Sequence, residues 1–214
     1  MREYLVTLLL AATICYVVTP YVRLWAIRFG VVAKIRERDV HTTPTPRWGG
    51  LAMWIGMAVT FAMVHHLSLV GKSFTRESIG IFLAATFLVL LGMVDDRFEL
   101  DALTKLAGQA LAAGILLIYG VQIFWLPING VMTLPPSIGQ LLTVAIVLVT
   151  INAVNFIDGL DGLAAGIVAI SGAAFFAFAY LLAVIYGFSR AGSPSLITAI
   201  IIGVCIGFLP HNAF

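Results

Sequence analysis

The chain has 214 residues, 61% of them hydrophobic and only 10% charged, with a formal net charge of +2. Soluble domains carry roughly a quarter charged residues, so an ordinary soluble enzyme is excluded, and so few basic groups exclude the charged surface that a nucleic acid requires. The apolar residues fall in blocks near bilayer length, which predicts an all-α polytopic membrane protein.

At the N-terminus, Met1-Arg2-Glu3 lacks the net positive start of a cleaved signal, and the run from Tyr4 to Ala26 is too long for a signal's apolar core. It reads as a retained first span. Runs free of Asp, Glu, Lys and Arg lie at about 4–22, 49–70, 79–94, 102–119 (broken only by Lys105), 138–154, 163–188 and 195–210. These predict about seven transmembrane helices, several nearer sixteen residues than twenty and therefore tilted or surrounded by protein. Cys15 and Cys205 sit inside apolar runs and read as small buried hydrophobes without disulfide or thiolate chemistry.

Seven spans put alternate loops on alternate sides. The side reached after the first span receives Arg23, Arg28, Lys34, Arg36, Arg38, Arg47, Arg97 and Lys105, eight of twelve basic residues, and is cytoplasmic by the positive-inside rule. The same side holds Glu37, Asp39, Asp95, Asp96, Glu99, Asp101, Asp158 and Asp161, eight of ten acids. Acids do not follow that rule, so their clustering points to function.

The first loop on this side ends in HTTPTPRWGG. Its prolines force Thr43 and Thr45 toward extended backbone, and its hydroxyls, N–H groups and the planar fork of Arg47 suit a phosphate. A plain membrane-crossing loop with a snorkelling Arg47 and an interfacial Trp48 is the alternative. His65 and His66 read as interfacial packing. After the third span comes GMVDDRFELDALTKLAGQ, whose adjacent Asp95 and Asp96 cannot cheaply stay ionised beside a low-dielectric slab without a compensating cation. A hard divalent ion on one Asp, with its neighbour as base, is the functional reading. Against it, Asp101 could cap the fourth span with Lys105 as its i+4 partner.

Between spans four and five, VQIFWLPINGVMTLPP carries Asn129-Gly130 among alternating large residues and predicts a small extracellular β-hairpin. At the end of span five, NAVNFIDGLDG places Asn152, Asn155, Asp158 and Asp161 three residues apart. A three-residue step turns an α-helix by 300°, so these four share a face only on a tighter turn. Span five is therefore expected to end near Asn155, with Asp158 and Asp161 on an irregular turn. Four convergent polar groups at a membrane rim are costly unless they hold a polar ligand. Capping of span six by Asp161 is the alternative. The final GFLPHNAF returns His211 and Asn212 to the same side.

TPTPRWGG, GMVDDRFELDALTKLAGQ and NAVNFIDGLDGLAAG resemble, in order and spacing, the polyprenyl-phosphate N-acetylhexosamine-1-phosphate transferases, from about Thr42 to Phe214. Arg47 and the DDRFEL segment look like the N-acetylglucosamine-1-phosphate branch more than the peptidoglycan enzyme that accepts the muramoyl-pentapeptide nucleotide. The resemblance implies a cytoplasmic active site in the bacterial cell membrane, dependence on Mg²⁺ with Mn²⁺ as a substitute, and transfer from UDP-N-acetylglucosamine to undecaprenyl or decaprenyl phosphate with release of UMP. It implies catalytic roles for Asp95, Asp96, Asp158 and Asp161, and substrate binding by Thr45, Arg47, Lys105, Asn155 and Asn212. Asn155 and Asp96 are the metal ligands it suggests, with the family's main metal Asp beyond Phe214. Residues 1–214 are on this reading one membrane domain, the N-terminal part of a ten- or eleven-span enzyme, and the oligomeric state is open, a homodimer included.

Two other classes fit less well. An ion- or proton-coupled transporter would bind its cargo near the midplane with ionisable groups inside the spans, yet Lys105 is the single Asp, Glu, Lys or Arg within a run. A CDP-alcohol phosphotransferase would need an Arg soon after the DG pair, where Leu163-Ala164-Ala165 stands.

Overall fold

The computed structural model describes residues 2–32, 46–67, 73–128, 130–188 and 191–212. They form seven α-helices: α1 (Arg2–Arg28), α2 (Gly49–Val64), α3 (Arg76–Phe98), α4 (Ala102–Ile118), α5 (Pro136–Ile157), α6 (Leu163–Tyr180) and α7 (Gly192–Asn212). Each predicted span has its helix. Five segments are long and apolar enough to cross a membrane, counting α6 together with the π turn Leu181–Ile185, while the apolar α2 and α4 are shorter, at 16 and 17 residues. The protein is a helical polytopic membrane protein.

The helix ends follow from local chemistry. Gly30, at φ 69°, closes α1: its N–H bonds Ile27 O at 3.0 Å and the next N–H, of Val31, reaches back to Ala26 O at 2.8 Å. Glycine takes this left-handed position without a Cβ clash. Thr75 and Ser78 form a reciprocal capping box at the start of α3. Asp101 caps α4, accepting from the N–H groups of Leu103 and Thr104 at 3.1 Å each. The capping reading of Asp101 therefore holds, but Lys105 turns elsewhere.

Between α4 and α5, β1 (Trp125–Leu126) and β2 (Met132–Thr133) pair antiparallel, Trp125 opposite Thr133 and Leu126 opposite Met132. This is the predicted hairpin; Gly130 takes φ 104° in its turn, and Asn129 lies outside the described residues.

The core is the contact of α1, α2 and α7. Their buried positions recur mostly every fourth residue: Thr7, Ala11, Cys15 and Thr19 on α1; Ala52, Gly56, Thr60 and Val64 on α2; Ser195, Ala199, Gly203 and Gly207 on α7. Such ladders of small residues let helix backbones approach, which in a bilayer replaces the absent hydrophobic drive with dispersion. A Cβ on Gly203 or Gly207 would collide with the carbonyl oxygen of Leu8 or Ala12, and one on Gly56 would lie 3.0 Å from the Cys15 Cβ. Cys15 and Cys205 are free and buried in this core. Toward the site, Trp54 Nε1 donates to Thr86 Oγ1 at 3.0 Å and ties α2 to α3. At the opposite rim, the Ser193 hydroxyl donates to Ser73 O at 2.8 Å and lies 3.1 Å from Thr75 Oγ1, joining the starts of α3 and α7.

Candidate active site

The polar loops meet at one rim. Val32 pairs with Pro46, and the Arg47 N–H donates to Val31 O at 3.2 Å, so the end of the first loop is laced to the exit of α1. Trp48 follows, its ring 5.8 Å from that of Phe29. Gly49 opens α2 against the ring of Phe208 on α7, where a Cβ would lie 2.7 Å from the ring, whereas nothing lies within 4 Å of one built on Gly50. The two glycines thus differ: Gly49 is needed for packing, and Gly50 leaves open space.

That space is part of an open cavity of about 410 Å³ between α2, α3 and α5. Its polar lining is Asp96, Asn155 and Asp158; its apolar wall includes Leu51, Leu88, Val89, Ile151 and Val154. Gly92, one turn before Asp96 on α3, keeps the wall low beside the carboxylate. Trp48 also lines it, and the indole Nε1 is buried with no hydrogen-bond partner among the described residues.

The paired aspartates at the end of α3 divide. Asp95 Oδ1 binds Lys105 Nζ at 2.8 Å and accepts the Leu100 N–H at 3.0 Å, while its backbone carbonyl accepts from Glu99, the left-handed C-cap. Asp95 therefore braces the turn between α3 and α4. Asp96 faces the cavity, with the charges of Arg47, Asp95, Lys105 and Asp158 around it.

The helix at NAVNFIDGLDG runs to Ile157, with Asp158 at its C-cap, close to the expected end. The three-residue spacing acts as the 300° step requires. Asn155 faces the cavity, but Asn152 turns to α4, where its Nδ2 donates to Gln109 Oε1 at 2.7 Å and to Leu148 O at 2.8 Å. Asn152 is thus a tie between helices, and the expected four-way convergence reduces to Asn155 and Asp158. Asp158 is exposed, yet the protein beside it removes enough hydration to raise its carboxyl above the usual aspartate range. The N-cap of α6 is Gly162, at φ 72°, so Asp161 does not hold the capping position open to it in the sequence. Asp161 is not among the residues that line the cavity. Asn212 ends α7 beside His211. Thr45 lies outside the described residues.

Sequence reasoning missed Trp48 and Gly92 as cavity residues. The glycine four residues before an aspartate on one helix was the available signal. The donor chemistry suits a hard cation: two carboxylates and an amide are oxygen ligands, and Mg²⁺ commonly takes one or two carboxylates together with substrate phosphates. Among the described residues no three Asp, Glu, His or Cys form a metal-binding group.

The profile described as glycosyl transferase family 4 matches residues 78–214. A decaprenyl-phosphate N-acetylglucosaminephosphotransferase of Mycolicibacterium smegmatis is 44% identical over 99% of this chain and 54% of its own. A probable undecaprenyl-phosphate N-acetylglucosaminyl 1-phosphate transferase of Bacillus subtilis is 30% identical over 92% of this chain and 52% of its own. A phospho-N-acetylmuramoyl-pentapeptide-transferase of Mycobacterium sp. (strain KMS) is 30% identical over all of this chain and 70% of its own. The chain spans about half the length of the first two relatives.

Proposed function

We propose that this chain, which belongs to glycosyl transferase family 4, carries the acidic rim of an enzyme that transfers N-acetylglucosamine-1-phosphate from UDP-N-acetylglucosamine to a polyprenyl phosphate. The observation that carries the reading is the cavity itself, in which Asp96, Asn155 and Asp158 stand at the edge of an apolar wall. An amphiphilic acceptor needs that combination: a phosphate among polar groups and a chain against Leu51, Leu88 and Ile151.

In the proposed reaction a phosphate oxygen of the lipid attacks the β-phosphorus of the nucleotide-sugar. The bond from that phosphorus to the oxygen bridging the two phosphates breaks, UMP leaves with the bridging oxygen, and a lipid-linked pyrophosphoryl sugar forms. Two anions must approach, so cations decide the barrier. Arg47 and Lys105 supply fixed positive charge near Asp96, and Lys105 is itself held by Asp95. Asp96 and Asn155 are the residues that would hold Mg²⁺, which would neutralise phosphate charge as the bond to UMP weakens. Asp158, whose carboxyl is raised by burial, is suited to take a proton from the acceptor phosphate. The higher identity to the decaprenyl-phosphate N-acetylglucosamine enzyme, 44% against 30% for the muramoyl-pentapeptide enzyme, favours the simpler sugar nucleotide.

The test is exchange of labelled UMP into UDP-N-acetylglucosamine by the purified full-length protein. Exchange should require both Mg²⁺ and polyprenyl phosphate, and in sealed right-side-out vesicles it should stay latent until the membrane is opened. Full exchange in excess EDTA would contradict the metal, and preference for the muramoyl-pentapeptide nucleotide would contradict the substrate.

A further inference from the structure

The helix α1 contains Pro20, and the bond its N–H would have made leads to the carbonyl of Tyr16, four residues back. Proline has no N–H, so covalent structure alone deprives that carbonyl of its intrahelical donor. The structure supplies one from another helix: His211, in the last turn of α7, places Nε2 at 3.0 Å from Tyr16 O. The two rings lie together as well, with centroids 4.7 Å apart and planes at 33°. A carbonyl only accepts, so the contact fixes the proton on Nε2.

We infer that His211 is a positioning residue: it replaces the donor that Pro20 removes, clasps the end of α7 to α1, and so holds the wall of the cavity. The route from clasp to cavity is continuous. Phe208 lies three residues before His211 on the same helix and presses on Gly49. Gly49 sits between Trp48 and Gly50, both cavity residues, and Trp48 rests in turn on Phe29 beyond the end of α1. The segment Trp48-Gly49-Gly50-Leu51 is thus held between Phe29, beyond the end of α1, and Phe208 on α7, and His211 ties α7 to α1 within one turn of Phe208, at Tyr16 about three turns before the end of α1. Neither His211 nor Tyr16 lines the cavity, so the effect on substrate passes through geometry alone.

The positioning half rests on the proposed transfer reaction; the clasp does not, and two readouts separate them. In full-length protein in detergent, His211→Phe keeps a ring on Tyr16 and removes the donor, and should lower the unfolding temperature by about 2–6 °C. His211→Gln, whose amide nitrogen reaches the same place as Nε2, should restore it, and Pro20→Ala should restore it by returning an N–H to α1. UMP exchange should behave differently. His211→Phe should raise the KM for substrate about tenfold with little change in kcat, His211→Gln should recover it, and Pro20→Ala should not, because the Tyr16 carbonyl is then satisfied while α7 stays unclasped. An unfolding temperature indifferent to His211→Phe would overturn the clasp. Exchange that returns together with stability in the Pro20→Ala, His211→Phe protein would reduce His211 to a structural residue. Absence of exchange in the unaltered protein would contradict the transfer reaction, and the clasp would then stand or fall on the unfolding temperatures.

Discussion

α5 and α7 are equally hydropathic, yet 56% of the most apolar stretch of α7 is buried within the protein and 6% of that of α5. Side-chain size makes the difference. α7 repeats Ser195, Ala199, Gly203 and Gly207 on one face and brings its backbone onto α1. α5 buries only Gly139 and Thr143, near its start, and shows Leu141, Val149 and Phe156 at 71%, 69% and 89% exposure. In a bilayer, lipid satisfies a large apolar side chain as well as protein does, so hydropathy decides that a helix spans and the spacing of small residues decides what it touches. The helix with the smaller buried face among the described residues is the one that presents Asn155 and Asp158. That same end is tied to α4 by the bond from Asn152 to Gln109.

The sharpest way to break the comparison is to alter a side chain on each helix. Gly207→Leu drives atoms into the Ala12 carbonyl and should cost about 3 kcal/mol or more, abolishing folded protein in a detergent thermal-shift assay. Leu141→Ala on α5 removes a large side chain yet should stay within about 0.5 kcal/mol of wild type. Comparable losses in both would erase the distinction.

A smaller effect sharpens the role of polar ties. Asn152→Leu severs the bond to Gln109, and interhelical hydrogen bonds in membranes average about 0.6 kcal/mol, so stability should fall by about that amount. Exchange activity should drop only a few-fold, because Asn152 does not line the cavity. A loss as deep as that of a cavity carboxylate would return Asn152 to the site.

Much of this was legible in the sequence, and what was not has identifiable causes. Seven spans and the hairpin follow from runs without charge and from one Asn-Gly pair, because a bilayer forces backbone groups to bond within helices. Asp96, Asn155 and Asp158 stand out in the sequence only together with Asp95, Asn152 and Asp161, as a polar set at a membrane rim for which helix capping is the alternative to a ligand. Asn152 could not be separated from them, since its partner Gln109 is 43 residues away and nothing local announces it. Asp95 and Asp96 looked alike because adjacent residues share a sequence context but point about 100° apart on a helix, one to Lys105 and one to the cavity. The pairing of Lys105 with Asp95 in place of Asp101 has the same origin: Asp101 spends both oxygens on the start of α4. The small-residue ladder of α7 was present as Gly203 and Gly207 four apart, but its partner helix needed three dimensions.

The proposed role of the α5 end is chemistry and not stability, and Asp158 tests it most directly. Its carboxyl is raised in the folded protein, so the folded state holds that proton more tightly than the unfolded chain. The stability this gives is present below the ordinary aspartate range and is lost as pH rises through the raised value. At neutral pH the ionised side chain is therefore a small burden, and Asp158→Asn should unfold at the same temperature as wild type or slightly higher. The same variant should lose UMP exchange by about a hundredfold or more, on the order of 2.7 kcal/mol in the barrier. Unaltered exchange with normal stability would contradict the account, and so would lost exchange that merely follows lost folding.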